Sequence, residues 1–277
     1  MNKRGLVATI ALSVASLFTL LISPAASAST PQARIVGGMD ADQAYPFIVS
    51  FQATSGKHFC GGTLVTPLWI VTAAHCVQNR SAKLFTARIG SNDRTTGGET
   101  AQPAQVLVNP EYNANGSGGD IALVRLSAPS QQAPISVGTS AIAGTATRLL
   151  GWGQTCASET CASQTKILQQ LDTHVVDGSR CTATFNGSVE LCTDNPGGKS
   201  GSCYGDSGGP ELSKVAGEWR LVGVTSRPGN SSSTCATSPS IYTSAVAYSS
   251  WITQWITAAP DTTTTVTSPV TNVSPQA

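Results

Sequence analysis

Charge is scarce in this chain. Of its 277 residues only 11% are charged, with 16 Lys and Arg against 15 Asp and Glu and a formal net charge of +1. So thin a charge excludes a protein that binds nucleic acid by neutralising phosphates. Methionine and lysine are also few, while glycine (27) and proline (15) are plentiful, which argues for a turn-rich β protein over a helical bundle. Long apolar runs are missing beyond the first thirty residues, and no repeat at solenoid spacing is present. What the chain does have is 40% hydrophobic residues, enough to exclude disorder throughout and to build a sizeable core. It also has 8 cysteines, an even number that points to an oxidising compartment.

The two ends differ from the middle. Lys3 and Arg4 precede a mostly apolar stretch from Leu6 to Ile22, followed by Ala26-Ser27-Ala28. This reads as a secretory signal over residues 1–28; as a retained anchor it would be short of a full span and diluted by Thr9, Ser13, Ser16 and Thr19. Without the basic residues before Ile35 the mature chain would carry a net charge of −2. From Pro260 to Ala277 the sequence is rich in Thr, Ser and Pro with no aromatic residue, and reads as a disordered tail.

Between the ends, short β-prone runs alternate with turn signals: Phe47–Gln52, Thr63–Thr66, Trp69–Ala73, Gln105–Val108, Ile121–Leu126, Thr147–Trp152, Thr173–Val176 and Trp219–Thr225. Loops rich in Gly, Asn and Ser fall at Asn113–Gly119 and Asn195–Gly201. Only Ala245–Thr257 has a helical period, with Tyr248, Trp251, Ile252, Trp255 and Ile256 on one stripe. The polar face of that helix lacks Lys and Arg, so it is expected to dock on the body and not on a membrane surface.

Three segments carry chemistry when taken together. Leu68 to Cys76 reads as a buried strand ending in His75, Asp120 follows a flexible loop and precedes a strand, and Ser207 sits in Gly205-Asp206-Ser207-Gly208-Gly209-Pro210. Each alone is unremarked: a histidine beside a cysteine is commonly a core or metal residue, and an Asp before a strand is commonly a turn residue. Combined, they supply a nucleophile, a base of matched pKa, a carboxylate to fix the base's tautomer, and glycines that let backbone N–H groups approach an oxyanion.

These three motifs, in the order His, Asp, Ser, resemble those of the chymotrypsin/trypsin family of serine proteases. The likeness extends over Arg34-Ile35-Val36-Gly37-Gly38, Phe59-Cys60-Gly61-Gly62, Gly151-Trp152-Gly153 and Ile241-Tyr242-Thr243. It implies an all-β fold of two antiparallel six-stranded β-barrels with the active site between them and a C-terminal helix, over residues 35–259. It further implies Ser207 as nucleophile, His75 as base, Asp120 as orienting carboxylate, and the N–H groups of Gly205 and Ser207 as oxyanion hole, with Ser226 bonded to Asp120. His58 and His174 find no place in that set and read as structural. Arg34 becomes a zymogen cleavage site, with residues 29–34 as propeptide and the freed Ile35 amine pairing with Asp206. The implied disulfides are Cys60–Cys76, Cys181–Cys192 and Cys203–Cys235, which leaves Cys156 and Cys161 to close a small loop. No metal and no cofactor is expected; the Cys and His spacings match no zinc finger.

The resemblance also places Gly201 at the floor of the primary specificity pocket, with Ser202 beside it and Ser240 at its back. Members that cut after Arg or Lys carry Asp at the floor, so an apolar P1 residue is expected here, and with it a separate activating protease for the cut at Arg34. After Ser226 the family usually has an aromatic residue and then Gly; this chain has Arg227-Pro228, in which Arg227 reads as a solvated surface charge. The expected product is a secreted, extracellular, monomeric endopeptidase whose partners are protein or peptide substrates and proteinaceous inhibitors, with no nucleic acid and no stable membrane association. A catalytically dead binding protein of the same fold is disfavoured because His75, Asp120 and Ser207 are all present. An esterase is disfavoured because the Ser207 segment lacks the nucleophile-elbow pattern.

Overall fold

A computed structural model describes residues 35–158, 164–230 and 232–257. The expected signal (1–28), propeptide (29–34) and tail (260–277), and Cys161, lie outside the described residues. Strands dominate because Val, Ile, Phe and Trp recur in short runs whose side chains pack on a pleated surface. After the short β1 (Met39–Asp40), the first half of the chain forms β2 (Ile48–Ala53), β3 (His58–Thr66), β4 (Trp69–Thr72), β5 (Phe85–Ile89), β6 (Glu99–Ala101), β7 (Pro103–Val108) and β8 (Ala122–Leu126). These seven pair antiparallel in the order β6-β5-β2-β3-β4-β8-β7, a sheet curled into a half-barrel.

The second half forms β9 (Ala146–Gly151), β10 (Gln169–Val176), β11 (Glu190–Thr193), β12 (Pro210–Val215), β13 (Glu218–Pro228) and β14 (Ser240–Ser244). They run β10-β11-β14-β13-β12-β9, and β9 pairs back onto β10, so six strands close a barrel, with β1 added at β10. All eight β-prone runs of the sequence fall on strands. The helix α1 (Ala74–Val77) follows β4, and α2 (Ser249–Thr257) ends the described chain. Of the stripe expected on the last helix, Tyr248 and Ile252 are buried in the core, while Trp255 at its far end stays exposed.

The core runs through both halves. Ile70, Val71, Leu123, Val124, Leu212, Leu221 and Val224 are fully buried in one continuous cluster. Each such side chain stabilises the fold by about 1.5–3 kcal/mol relative to exposure. The two sheets come close where β3 passes the segment before β12. A Cβ at Gly61 would stand 2.8 Å from Gly209 Cα, so only glycine permits that approach. The expected disulfides Cys60–Cys76, Cys181–Cys192 and Cys203–Cys235 are formed. Cys156 is also disulfide-bonded; its expected partner Cys161 lies outside the described residues.

Candidate active site

Strand β4 is buried along its whole length and delivers the chain into α1, whose second residue is His75. The backbone N–H of His75 donates to Asp120 Oδ1 at 3.0 Å, and the ring Nδ1 lies 2.8 Å from Asp120 Oδ2. Since a carboxylate can only accept, Nδ1 carries the proton, and in the neutral ring Nε2 is left as a base. Asp120 comes from the first half of the chain but is fixed by the second. The Ser226 hydroxyl donates to Oδ2 at 2.6 Å, and Thr243 Oγ1 donates to the Asp120 carbonyl at 2.9 Å. Burial pushes the Asp120 carboxyl up, but the bonds and charge of His75 and the Ser226 hydroxyl outweigh it and hold it below the usual range.

Ser226 reaches Asp120 because β13 is irregular there. Its register to β14 shifts between Thr225 and Arg227, so Ser226 is the extra residue of a bulge.

Ser207 occupies the turn before β12, and Gly205 (φ 99°) and Gly208 (φ 78°) on either side use conformations closed to other residues. Gly61 N–H donates to the Ser207 carbonyl at 2.8 Å, while neighbouring Cys60 is bonded to Cys76 beside His75. The serine turn and the histidine are thus held to adjacent residues of β3. Among the described residues, the N–H groups of Gly205 and Ser207 donate to no protein acceptor, and no hydrogen bond joins Ser207 Oγ to His75. The ring's Nε2 instead lies 3.7 Å from Cys76 Sγ. Such bonds are commonly loose before substrate arrives. The sulfurs of Cys60 and Cys76 and the ring of His75 cluster within 4.8 Å, but the sulfurs are spent in a disulfide and do not form a thiolate metal site.

Asp206 is buried beneath this turn. Its carboxylate accepts from Gly153 N–H and Cys203 N–H, each at 2.8 Å, yet burial pushes its pKa up to about 7. Ile35 is 1% exposed among Leu149, Leu191 and Tyr242, and Val36 pairs with Gly201.

His58 is more closely tied to the site than its sequence suggested. It is 1% exposed, its Nε2–H donates to the Gly205 carbonyl at 2.9 Å, and its Nδ1 accepts from Ser50 Oγ at 2.8 Å. Burial pushes its pKa down to about 4. No sequence signal links residues so far apart in the chain. His174 is exposed on β10.

A cavity of about 150 Å³ opens beside Ser207, lined by Ser202, Ser226, Pro228, Ser238 and Ser240 and by the Cys203–Cys235 disulfide. Ser202 Oγ donates to Ser240 Oγ at 3.1 Å. Gly201 packs behind this wall, where a Cβ would meet Ser240 Oγ at 3.7 Å. No carboxylate lines the cavity.

Arg227 departs from its sequence reading. It is not a solvated charge: Nη1 donates to Glu190 Oε1 at 2.7 Å and Nη2 to Oε2 at 3.1 Å, with further bonds to Ser226 Oγ and the Thr184 carbonyl. The buried carboxylate of Glu190 on β11 demands a cation, and Arg227 supplies it. Pro228, lacking an N–H, still extends β13 opposite Ser240.

A closed barrel facing a half-barrel, with a histidine–carboxylate pair beside a glycine-flanked serine, defines a hydrolase of the serine type. A sequence model of the family described as Trypsin matches residues 35–252. Cationic trypsin-3 of Rattus norvegicus is 35% identical over 242 residues, covering 81% of this chain and 90% of the relative. Trypsin of Sus scrofa is 35% identical over 239 residues, covering 81% of this chain and 96% of the relative. The chain belongs to the trypsin family of serine endopeptidases, and its substrates are proteins.

Proposed function

We propose that Ser207, His75 and Asp120 form the catalytic triad of a secreted endopeptidase that hydrolyses peptide bonds through an acyl-enzyme. The observation that carries the assignment is the bidentate hold of Asp120 on His75, through the ring Nδ1 at 2.8 Å and the backbone N–H at 3.0 Å. His75 Nε2 takes the Ser207 proton as Oγ attacks the scissile carbonyl. The N–H groups of Gly205 and Ser207, unused by the protein, receive the oxyanion. His75 then protonates the leaving amine, and water repeats the sequence on the acyl-enzyme.

The cavity beside Ser207, with Gly201 behind it, has Arg227 at its border and no carboxylate in its lining, which favours an apolar P1 side chain, since a buried Lys or Arg would find no partner.

The precursor is divided into a signal over residues 1–28, a propeptide over 29–34, the protease domain over 35–259 and a tail over 260–277. Cleavage after Arg34 by a separate protease frees the Ile35 amine to pair with Asp206. Two features support this. Asp206 is a buried carboxylate that accepts from backbone N–H groups and gains most from a cation. Ile35 has φ 48°, a strained value for a β-branched residue inside a chain, and a freed N-terminal residue no longer carries that restraint. The mature enzyme acts as an extracellular monomer and is open to proteinaceous inhibitors. Among the described residues no helix is long and apolar enough to cross a membrane.

Labelling of the Arg34-cleaved protein by a serine-directed phosphonate tests the assignment, with Ser207→Ala as control. The variant should keep its fold and lose both labelling and cleavage. Undiminished cleavage by Ser207→Ala would overturn it, and a panel differing only at P1 checks the apolar preference.

A further inference from the structure

A second cavity of about 190 Å³ is lined by His75 and, in part, by Tyr112, Asn113, Gly118, Ser226 and Arg227. Arg227 and Ser226 border both cavities. A peptide with its P1 side chain in the first therefore lays a neighbouring residue over the second.

The charge in this second cavity is asymmetric. The Glu190 side chain is 0% exposed, while that of Arg227 is 26% exposed. The ion pair is therefore a dipole with its positive end outward. Glu190 is held from behind by Gly118 N–H and Asn186 N–H, each at 2.8 Å, so the pair cannot easily turn over. Four of the five guanidinium N–H bonds go to Glu190, Ser226 and Thr184, all from Nη1 and Nη2. Among the described residues Nε–H has no protein acceptor. Asp120 also borders the cavity, but its oxygens are covered by His75 and Ser226. An incoming side chain therefore meets a donor and a cation before it meets a carboxylate.

We propose that this cavity is an acid-selecting subsite, in which Arg227, backed by Glu190, favours peptide substrates with Asp or Glu at one of the three positions N-terminal to P1. The proposal rests on Ser207 and His75 being the reacting pair, because that places the substrate between the two cavities. Arg227 acts on specificity. Its bond to Ser226 also makes it a positioning residue behind Asp120, so a change in rate alone would not isolate its role in selection.

The test measures kcat/KM for peptides sharing one P1 residue and varying P2, P3 and P4 among Glu, Gln, Leu and Lys. At one of these positions Glu should exceed Lys about tenfold, and the ratio should shrink at high salt. Arg227→Gln should bring the ratio to within about twofold, whatever its overall rate, and Arg227→Lys should retain part of it. If Arg227→Gln fails to fold because Glu190 is left buried and unpaired, the double variant E190Q/R227Q removes both charges and should likewise erase the ratio. A wild-type ratio near one at all three positions overturns the subsite, as does a ratio that survives in the folded neutral variants. Absence of phosphonate labelling at Ser207 overturns instead the catalytic reading beneath it, and the subsite with it.

Discussion

The Ser226 hydroxyl and the Asp120 carboxylate meet at 2.6 Å across the junction of the two halves of the protein. The contact makes the orientation of His75 depend on a strand of the closed barrel, although histidine and aspartate both come from the other half. A hydrogen bond to a charged group contributes about 1.5–3 kcal/mol. Ser226→Ala should therefore lower kcat by roughly tenfold or more with a smaller effect on KM. Steady-state kinetics on one peptide checks this, and a kcat within twofold of wild type would show that Asp120 is held without it.

Asp206 should make the uncleaved protein lose stability as the pH rises from acid to neutral. Its folded pKa of about 7 lies above its ordinary value of 3.8. As pH rises between those values, the unfolded chain releases its proton first, and the folded state loses on the order of 4 kcal/mol. Part of that loss is already incurred by pH 5, so denaturant titrations at pH 5 and pH 8 should differ by roughly 2–3 kcal/mol in the uncleaved protein, and by much less in Asp206→Asn. After cleavage at Arg34 the loss should shrink, because the amine then stabilises the carboxylate.

His58 predicts the opposite limb. Its folded pKa of about 4 lies below the ordinary 6.5, so the unfolded chain takes up a proton first as pH falls through that window. Stability present above pH 6.5 should fall by roughly 3 kcal/mol by pH 4. His58→Gln should flatten this part of the curve. Equal acid slopes in the two proteins would mean that the imidazole is not held neutral between Ser50 and Gly205.

The neutral wall of the first cavity should be convertible. Ser240 is 6% exposed on β14 and faces Ser202. Ser240→Asp would place there a carboxylate that gains from a cation, so the kcat/KM ratio of Lys to Phe at P1 should rise by at least about tenfold. An unchanged ratio in a folded variant would show that P1 does not reach this wall.

The sequence was legible where local pattern and burial agree. Trp69–Val71 is apolar and became part of the fully buried strand Trp69–Thr72, and Gly205 and Gly208 marked a turn that needs positive φ. It was opaque at Glu190–Thr193 and Pro210–Val215. Both are strands carrying a buried glutamate, a residue type that argues against a buried strand. Glu190 is tolerated because of Arg227, far along the chain, and Glu211 because the Thr193 hydroxyl reaches it at 2.9 Å. Burial nonetheless pushes Glu211 up to about 7.

By itself, then, the amino-acid order determined the strand-rich class, the three reactive residue types and their sequence, since each is written in neighbouring residues or in the chemistry of a single side chain. Only tertiary structure decided that Ser226 would bulge onto Asp120, that His58 would grip the Gly205 carbonyl, and that Arg227 would turn from solvent to neutralise Glu190. Those outcomes depend on which distant polar groups are buried together, and the cost of leaving a charge or donor unpaired in a dry interior is set by the finished packing and not by local sequence.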